Sequence, residues 1–375
     1  MSSVVLHIGT KKTGTTFLQS FLSRNQDALA DQGWRCPTLV GRRGHHDLAL
    51  AFATNKNSPW HKLHGQDSPA ATEQLISELG GFLGRSVQPD DRWVLSSEFI
   101  GSRVSTPADV GALLALLHEH FDDVRVLVYF RRQDFMVPST YSQSIKEGSR
   151  ATLDWQYVDR RIADFDHLGL FTMWCDAAGA QSVAARPFLE GYKAQPEALL
   201  ADFLDAAGIA TDPAFVLPGP AAVNPQLAAE GVAALRVVNA VLPRRGSDGE
   251  PMRRALSPRI ASGIAAVNEG PSIALPRDLA QQIDHHFDPS NRALINVMGM
   301  SDTWSEWLAQ DAKPTTEQPR PTVPNERLAQ LLFAASAVEE LFPPVLLARL
   351  TARMSVITDW SDPAGYASLD RAEGS

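Results

Sequence analysis

Short apolar runs alternate with amphipathic stretches through the first half of this chain. Val4-Val5-Leu6-His7-Ile8, Arg92-Trp93-Val94-Leu95-Ser96-Ser97 and Val124-Arg125-Val126-Leu127-Val128-Tyr129-Phe130 are compact and rich in β-branched and aromatic residues, the mark of buried strands. Ser182-Val183-Ala184-Ala185-Arg186 predicts a fourth. Phe17, Leu18, Phe21, Leu22, Ala28 and Leu29 recur at helical spacing and predict one amphipathic helix from about Thr15 to Asp31. Helices are also expected over Ala70–Leu83 and Pro107–Phe121. Strands that alternate with helices pair in parallel, so the fold class is α/β, a three-layer P-loop-like parallel sheet flanked by helices. Ligands of such sheets sit at the C-terminal strand ends, where Gly9, Ser97 and Arg131 all fall.

Beyond Arg186 the pattern turns mostly helical, with amphipathic runs at Pro196–Ala207 and Pro225–Leu242. Pro314–Pro324 holds four prolines and no apolar period, which predicts an irregular linker. A helical pair follows, about Glu326–Leu341 and Val345–Ile357, broken at Pro343-Pro344. The expected organisation is an α/β domain over 1–310, a Pro-rich linker over 311–325, and a helical extension over 326–375 packed on the core.

The chemistry concentrates after the first strand. Gly9-Thr10-Lys11-Lys12-Thr13-Gly14-Thr15-Thr16 is a glycine-bounded loop that opens a helix. Its backbone N–H groups and the positive end of the helix dipole make a cradle for an anion. The two glycines have P-loop spacing, yet the residue after Gly14 is Thr15 where a nucleotide triphosphatase carries lysine. The lysine stands at Lys12 instead, inside the loop, suited to the bridging oxygen of a leaving group.

Lys12-Thr13-Gly14-Thr15-Thr16 straight after a strand resembles the 5′-phosphosulfate loop of sulfotransferases that use 3′-phosphoadenosine 5′-phosphosulfate (PAPS). That family, in its bacterial, cytosolic-type form, also carries an arginine at the end of a later strand and a serine eight positions on, which together hold the 3′-phosphate. Arg131 and Ser139 have this spacing, with Arg132 as a second candidate for the phosphate, and Pro138 departs from the pattern. The resemblance implies a sulfotransferase moving a sulfuryl group to an acceptor hydroxyl, a carbohydrate or small metabolite, with PAP as product. It implies Lys11, Lys12, Thr13, Gly14, Thr15, Thr16, Arg131 and Ser139 as donor-binding residues and Lys12 as the cation that meets the leaving oxygen. The alternative reading is a P-loop kinase or other nucleotide-binding protein acting on a small molecule.

In-line transfer needs a base to take the acceptor proton. Glu98 directly follows a strand and is the first candidate; His46, in Gly44-His45-His46-Asp47, is the second. The resemblance also implies Asn224, before a helix, as a weaker candidate near the nucleotide, with N-capping sufficient to explain it. His61 with His64, and Asp284-His285-His286, lack a third ligand at metal spacing, so no metal is expected. Trp34, Trp60, Trp155 and Trp174 could line an acceptor pocket, though core positions fit most of them better.

Composition narrows the partners. A formal charge of −9 argues against a nucleic-acid binder, so an anionic ligand must be met by local cations such as Lys11, Lys12, Arg131 and Arg132, while Arg42, Arg43, Lys146 and Arg150 fit a solvated surface. Two cysteines, Cys36 and Cys175, build no disulfide framework. With no leader-like stretch after Met1 and no apolar run of membrane-spanning length, the expectation is a cytoplasmic protein without a membrane span.

Overall fold

The structure is a computed structural model that describes residues 1–40, 45–56, 58–219, 227–242, 252–299, 301–316, 327, 330 and 331. They group into two compact units. The first comprises Met1–Arg132, Ala163–Val223 and Phe287–Asp311; the second comprises Gln133–Ile162, Asn224–His286 and the residues from Ala312 onward.

A five-stranded sheet organises the first unit. Strands β1 (Ser3–His7), β2 (Trp34–Arg35), β3 (Arg92–Ser96), β4 (Asp123–Arg131) and β5 (Val183–Phe188) lie in the order β2-β3-β1-β4-β5, every neighbour parallel. Helices flank it, as the alternating sequence pattern predicts. Val4, Val5 and Leu6 of the central strand are almost completely buried, because a parallel sheet covered on both faces leaves neither side to water. Register then decides where the site forms. His7 at the end of β1 pairs with Ser96 on one side and Leu127 on the other, while β4 continues past Leu127 to Arg131. This overhang pairs onward with β5 and gives the loop after β1 a backbone to rest on.

The expected helix over Thr15–Asp31 is two helices, α1 (Thr15–Arg24) and a short one over Gln26–Asp31. Asn25 makes the break. Its side chain donates to Phe21 O at 2.8 Å and Val216 O at 3.0 Å and accepts from the Val216 N–H at 2.7 Å, competing with the helical ladder. The helices expected from Ala70 and Pro107 run over Pro69–Ser86 and Pro107–His118, with Ser68 and Thr106 accepting at their N-caps and proline in the first turn. Pro196–Ala207 is helical as expected.

In the second unit, helices Gln133–Lys146, Ala229–Val241 and Met252–Val267 pack around a buried polar knot. Asn239 donates to Ile145 O at 2.7 Å and Ser149 O at 2.9 Å, and accepts from Ser257 Oγ at 2.7 Å. Within the stretch expected to be an irregular linker, Thr315–Thr316 pairs in parallel with Leu275–Pro276. Asn224, Arg42, Arg43 and the expected C-terminal helical pair, apart from the three isolated positions named above, lie outside the described residues. Among the described residues no helix is long and apolar enough to cross a membrane.

Candidate active site

The loop between β1 and α1 is held from several sides. Thr10 N–H donates to Tyr129 O at 3.0 Å, and Tyr129 N–H donates to Gly9 O at 2.6 Å, so the β4 overhang grips its start. Thr10 Oγ1 donates to the same Tyr129 carbonyl at 3.0 Å, and buried Thr13 donates through Oγ1 to Thr10 O at 2.6 Å. Lys12 and Gly14 both take left-handed backbone, φ 68° and 74°. At Gly14 a side chain would also collide, since a Cβ there would sit 2.5 Å from Leu199 Cδ2. Gly14 is the N-cap of α1, no side chain caps that helix and no acidic residue stands in its first turn. An anion would therefore meet backbone donors and two half-buried lysines, Lys11 and Lys12, without a competing carboxylate from α1. Thr15 is buried and Thr16 exposed. These residues fit a phosphate-type group.

Glu98 stands directly against this loop. A Cβ on Gly9 would lie 2.9 Å from Glu98 Cα, so only glycine lets the two backbones approach this closely. Half-buried Glu98 opens the helix Glu98–Arg103, and its Oε2 accepts from Gln19 Nε2 of α1 at 2.9 Å. Gln19 Nε2 also reaches Ser96 O at 3.4 Å. The second base candidate opens the helix His46–Phe52 and meets the residue before Glu98. His46 Nδ1 is 3.1 Å from Ser97 Oγ, and its ring meets Phe99 edge-on at 4.6 Å. Its neighbour His45 has a different task. Ser96 N–H donates to its Nδ1 at 2.9 Å, and its Nε2–H donates to Pro37 O at 2.9 Å. Burial lowers the pKa of His45 despite these bonds, so it ties two segments together as a neutral ring.

Arg131 is buried, 2 % exposed, and its guanidinium is engaged within the protein. Nε and Nη2 form a two-pronged ion pair with Glu190, the latter contact at 2.9 Å, and Nη1 donates to Lys12 O at 3.4 Å. Lys193 Nζ adds a bond to Glu190 Oε2 at 2.6 Å. Burial alone would raise the Glu190 pKa, but Arg131 and Lys193 outweigh it and hold the carboxyl below its ordinary range. From behind, the Nε2–H of buried His167 donates to the Arg131 carbonyl at 2.8 Å. Arg132 points elsewhere and closes the end of the helix Asp302–Ala309, donating to Leu308 O, Gln310 O and Asp311 O at 3.2, 2.7 and 3.1 Å. Ser139 is half-buried on the helix Gln133–Lys146 of the second unit.

The structure thus brings Lys12, Glu98, His46 and Arg131 to the C-terminal edge of one sheet in one unit. Sequence reading missed two participants. Gln19 interrupts the apolar stripe of α1 with an inward amide, a weak signal; Glu190 follows β5 with nothing in its neighbourhood to mark it. His61 is buried and bonded to Ser58 Oγ at 2.9 Å and Leu50 O at 3.3 Å, while His64 packs edge-on against Trp60 and His286 against Trp155. Trp34 and Trp174 are core residues, 2 % and 0 % exposed.

No family model matches the sequence, and no curated protein matches it. Among solved structures it is similar to the crystal structure of a sulfotransferase from Alicyclobacillus acidocaldarius. The identity is 13 % and the TM-score 0.44, over 80 % of this chain and 98 % of that one. It is also similar to the sulfotransferase domain from the Synechococcus PCC 7002 olefin synthase, at 13 % identity and TM-score 0.32, over 56 % of this chain and 74 % of that one. Identities and scores this low leave the chemistry to be argued from the residues themselves.

Proposed function

We propose that the protein is a sulfotransferase that moves the sulfuryl group of PAPS to an acceptor hydroxyl, on a carbohydrate or small metabolite, by in-line displacement. The observation that carries this reading is the close approach of the anion-ready loop to an acidic residue: Gly9 of the lysine-bearing loop packs on the backbone of Glu98. Sulfuryl transfer needs little else from a protein than a held donor, a base and a cation. In this reading Lys11, Lys12, Thr13, Gly14, Thr15 and Thr16 hold the 5′-phosphosulfate, and the Lys12 ammonium meets the bridging oxygen as charge develops on it. Glu98 takes the acceptor proton, with His46 as the second candidate. Arg131 is the proposed partner of the 3′-phosphate, which it would share with Glu190. The kinase reading has only the glycine spacing in its favour, since the position after Gly14 is Thr15.

The test is transfer of label from [35S]PAPS to a panel of a methyl glycoside, an aliphatic alcohol and a phenol, with calorimetric titration of PAP. Lys12→Ala is expected to lower turnover by about 100-fold, as for other removed electrostatic stabilisers. A variant as active as the unmutated protein, or no measurable PAP binding, would overturn the reading.

A further inference from the structure

Glu98 is wedged between two elements that sequence distance would not have joined: the first glycine of the loop, and the middle of the helix that the loop opens. From α1, Gln19 Nε2 donates to Glu98 Oε2 at 2.9 Å. Among the described residues no hydrogen-bond partner is found for Glu98 Oε1. The two oxygens of one carboxylate are therefore unlike. One is tied to the helix that follows the loop, and the other remains able to accept a proton.

We propose that Gln19 is a positioning residue that fixes Glu98 as the base, holding Oε2 so that Oε1 faces the acceptor hydroxyl. The inference rests on the sulfotransferase reading and deepens it, because it selects Glu98 over His46. The chemistry of the amide suits this task. A neutral N–H donor orients a carboxylate and steadies its charge, whereas an ammonium or guanidinium in the same place would suppress its proton affinity. The backbone contact of Glu98 with Gly9 sets the distance to the loop, and the Gln19 bond sets the rotation of the carboxylate. His46 stands beside Ser97 and Phe99 instead. In the step itself the acceptor O–H proton passes to Glu98 Oε1 and the acceptor O–S bond forms. The S–O bond to the 5′-phosphate breaks, and the electron pair stays on the leaving oxygen beside Lys12.

A double-mutant cycle tests the proposal, read as release of PAP from PAPS, which counts transfer to an added methyl glycoside and to water alike. Gln19→Leu keeps the side-chain volume and removes the donor. It is expected to lower kcat by about tenfold or more, the value of a hydrogen bond to a charged group, while KM for PAPS and calorimetric PAP affinity stay within about twofold. In a Glu98→Gln background the same substitution is expected to cost nothing further, because it acts only through that carboxylate. An equal loss in both backgrounds would assign Gln19 a merely structural role and overturn the proposal alone. Wild-type turnover in Glu98→Gln itself would overturn the choice of base, and the proposal with it; retained PAP binding would then separate that failure from failure of the nucleotide reading.

Discussion

Two of the histidines buried in the sheet unit predict a steep loss of stability in mild acid. His7, at the end of the central strand, is fully buried, and burial pushes its pKa down from 6.5 to about 3. Its Nδ1 meets Ser96 Oγ at 2.8 Å, Tyr129 and Phe203 pack edge-on against the ring at 5.8 and 5.5 Å, and Nε2 finds no partner among the described residues. His167, under the Arg131 carbonyl and stacked on Phe130, is pushed from 6.5 down to about 4, again by burial. The unfolded chain binds a proton at each of these histidines below about pH 6.5, while the folded protein refuses it until pH 4 or lower. The stabilisation is therefore complete above 6.5 and is lost as the pH falls toward the folded values. At about 1.4 kcal/mol per unit, each histidine costs about 2 kcal/mol between pH 7 and pH 5, or about 4 kcal/mol together. That is a large share of the ~5–15 kcal/mol by which a typical domain is stable. Urea unfolding at pH 7 and pH 5 reads the difference directly, and a window ending at pH 5 stays above the range where carboxylates are protonated. In His7→Phe, whatever its stability at pH 7, the loss between the two pH values should shrink by about 2 kcal/mol. An undiminished loss in that variant would show that water reaches the ring.

Gly14→Ala should destabilise by about 1–3 kcal/mol and weaken PAP binding, because it places a Cβ at positive φ against Leu199; an unchanged thermal midpoint would contradict the loop geometry. Arg131→Met should cost about 3 kcal/mol in urea unfolding by leaving the Glu190 carboxylate to Lys193 alone, at the low end for a broken buried pair. Arg131→Met with Glu190→Leu should recover at least about 1 kcal/mol of that loss, and a double variant worse than the single would refute the pairing.

The sheet was legible because its strands are short apolar runs and its flanking helices carry apolar stripes; both patterns are local. The loop was legible because glycine spacing and a displaced lysine are local too. What escaped the sequence is set by partners far along the chain. Asn25 ends α1 only because the Val216 backbone waits to bond it. Two-residue β2 exists because β3 offers it an edge, at a length where periodicity carries no signal. His45 and His46 read alike as a pair, yet His45 takes φ 48° at a helix start and turns into the sheet, while His46 turns to Ser97. Arg131 was legible as a cation at a strand end, whereas its ion pair with Glu190 depends on β5 lying beside β4.

These distant contacts converge on one physical effect. The loop that would hold the donor is fixed by the β4 overhang at Thr10, by Arg131 at the Lys12 carbonyl, and by Glu98 against Gly9. Ordering a residue costs about 1–2 kcal/mol of conformational entropy, and here the loop is ordered by folding before any ligand arrives. Binding energy is then left for charge developed at the leaving oxygen and for alignment of the acceptor, the two demands of in-line transfer. A buried ion pair behind the loop suits this purpose whatever its net effect on stability, since two prongs fix an orientation that a solvated lysine could not. On that reasoning Arg131→Met with Glu190→Leu should regain stability without regaining turnover, so the two effects of losing the pair should not scale together.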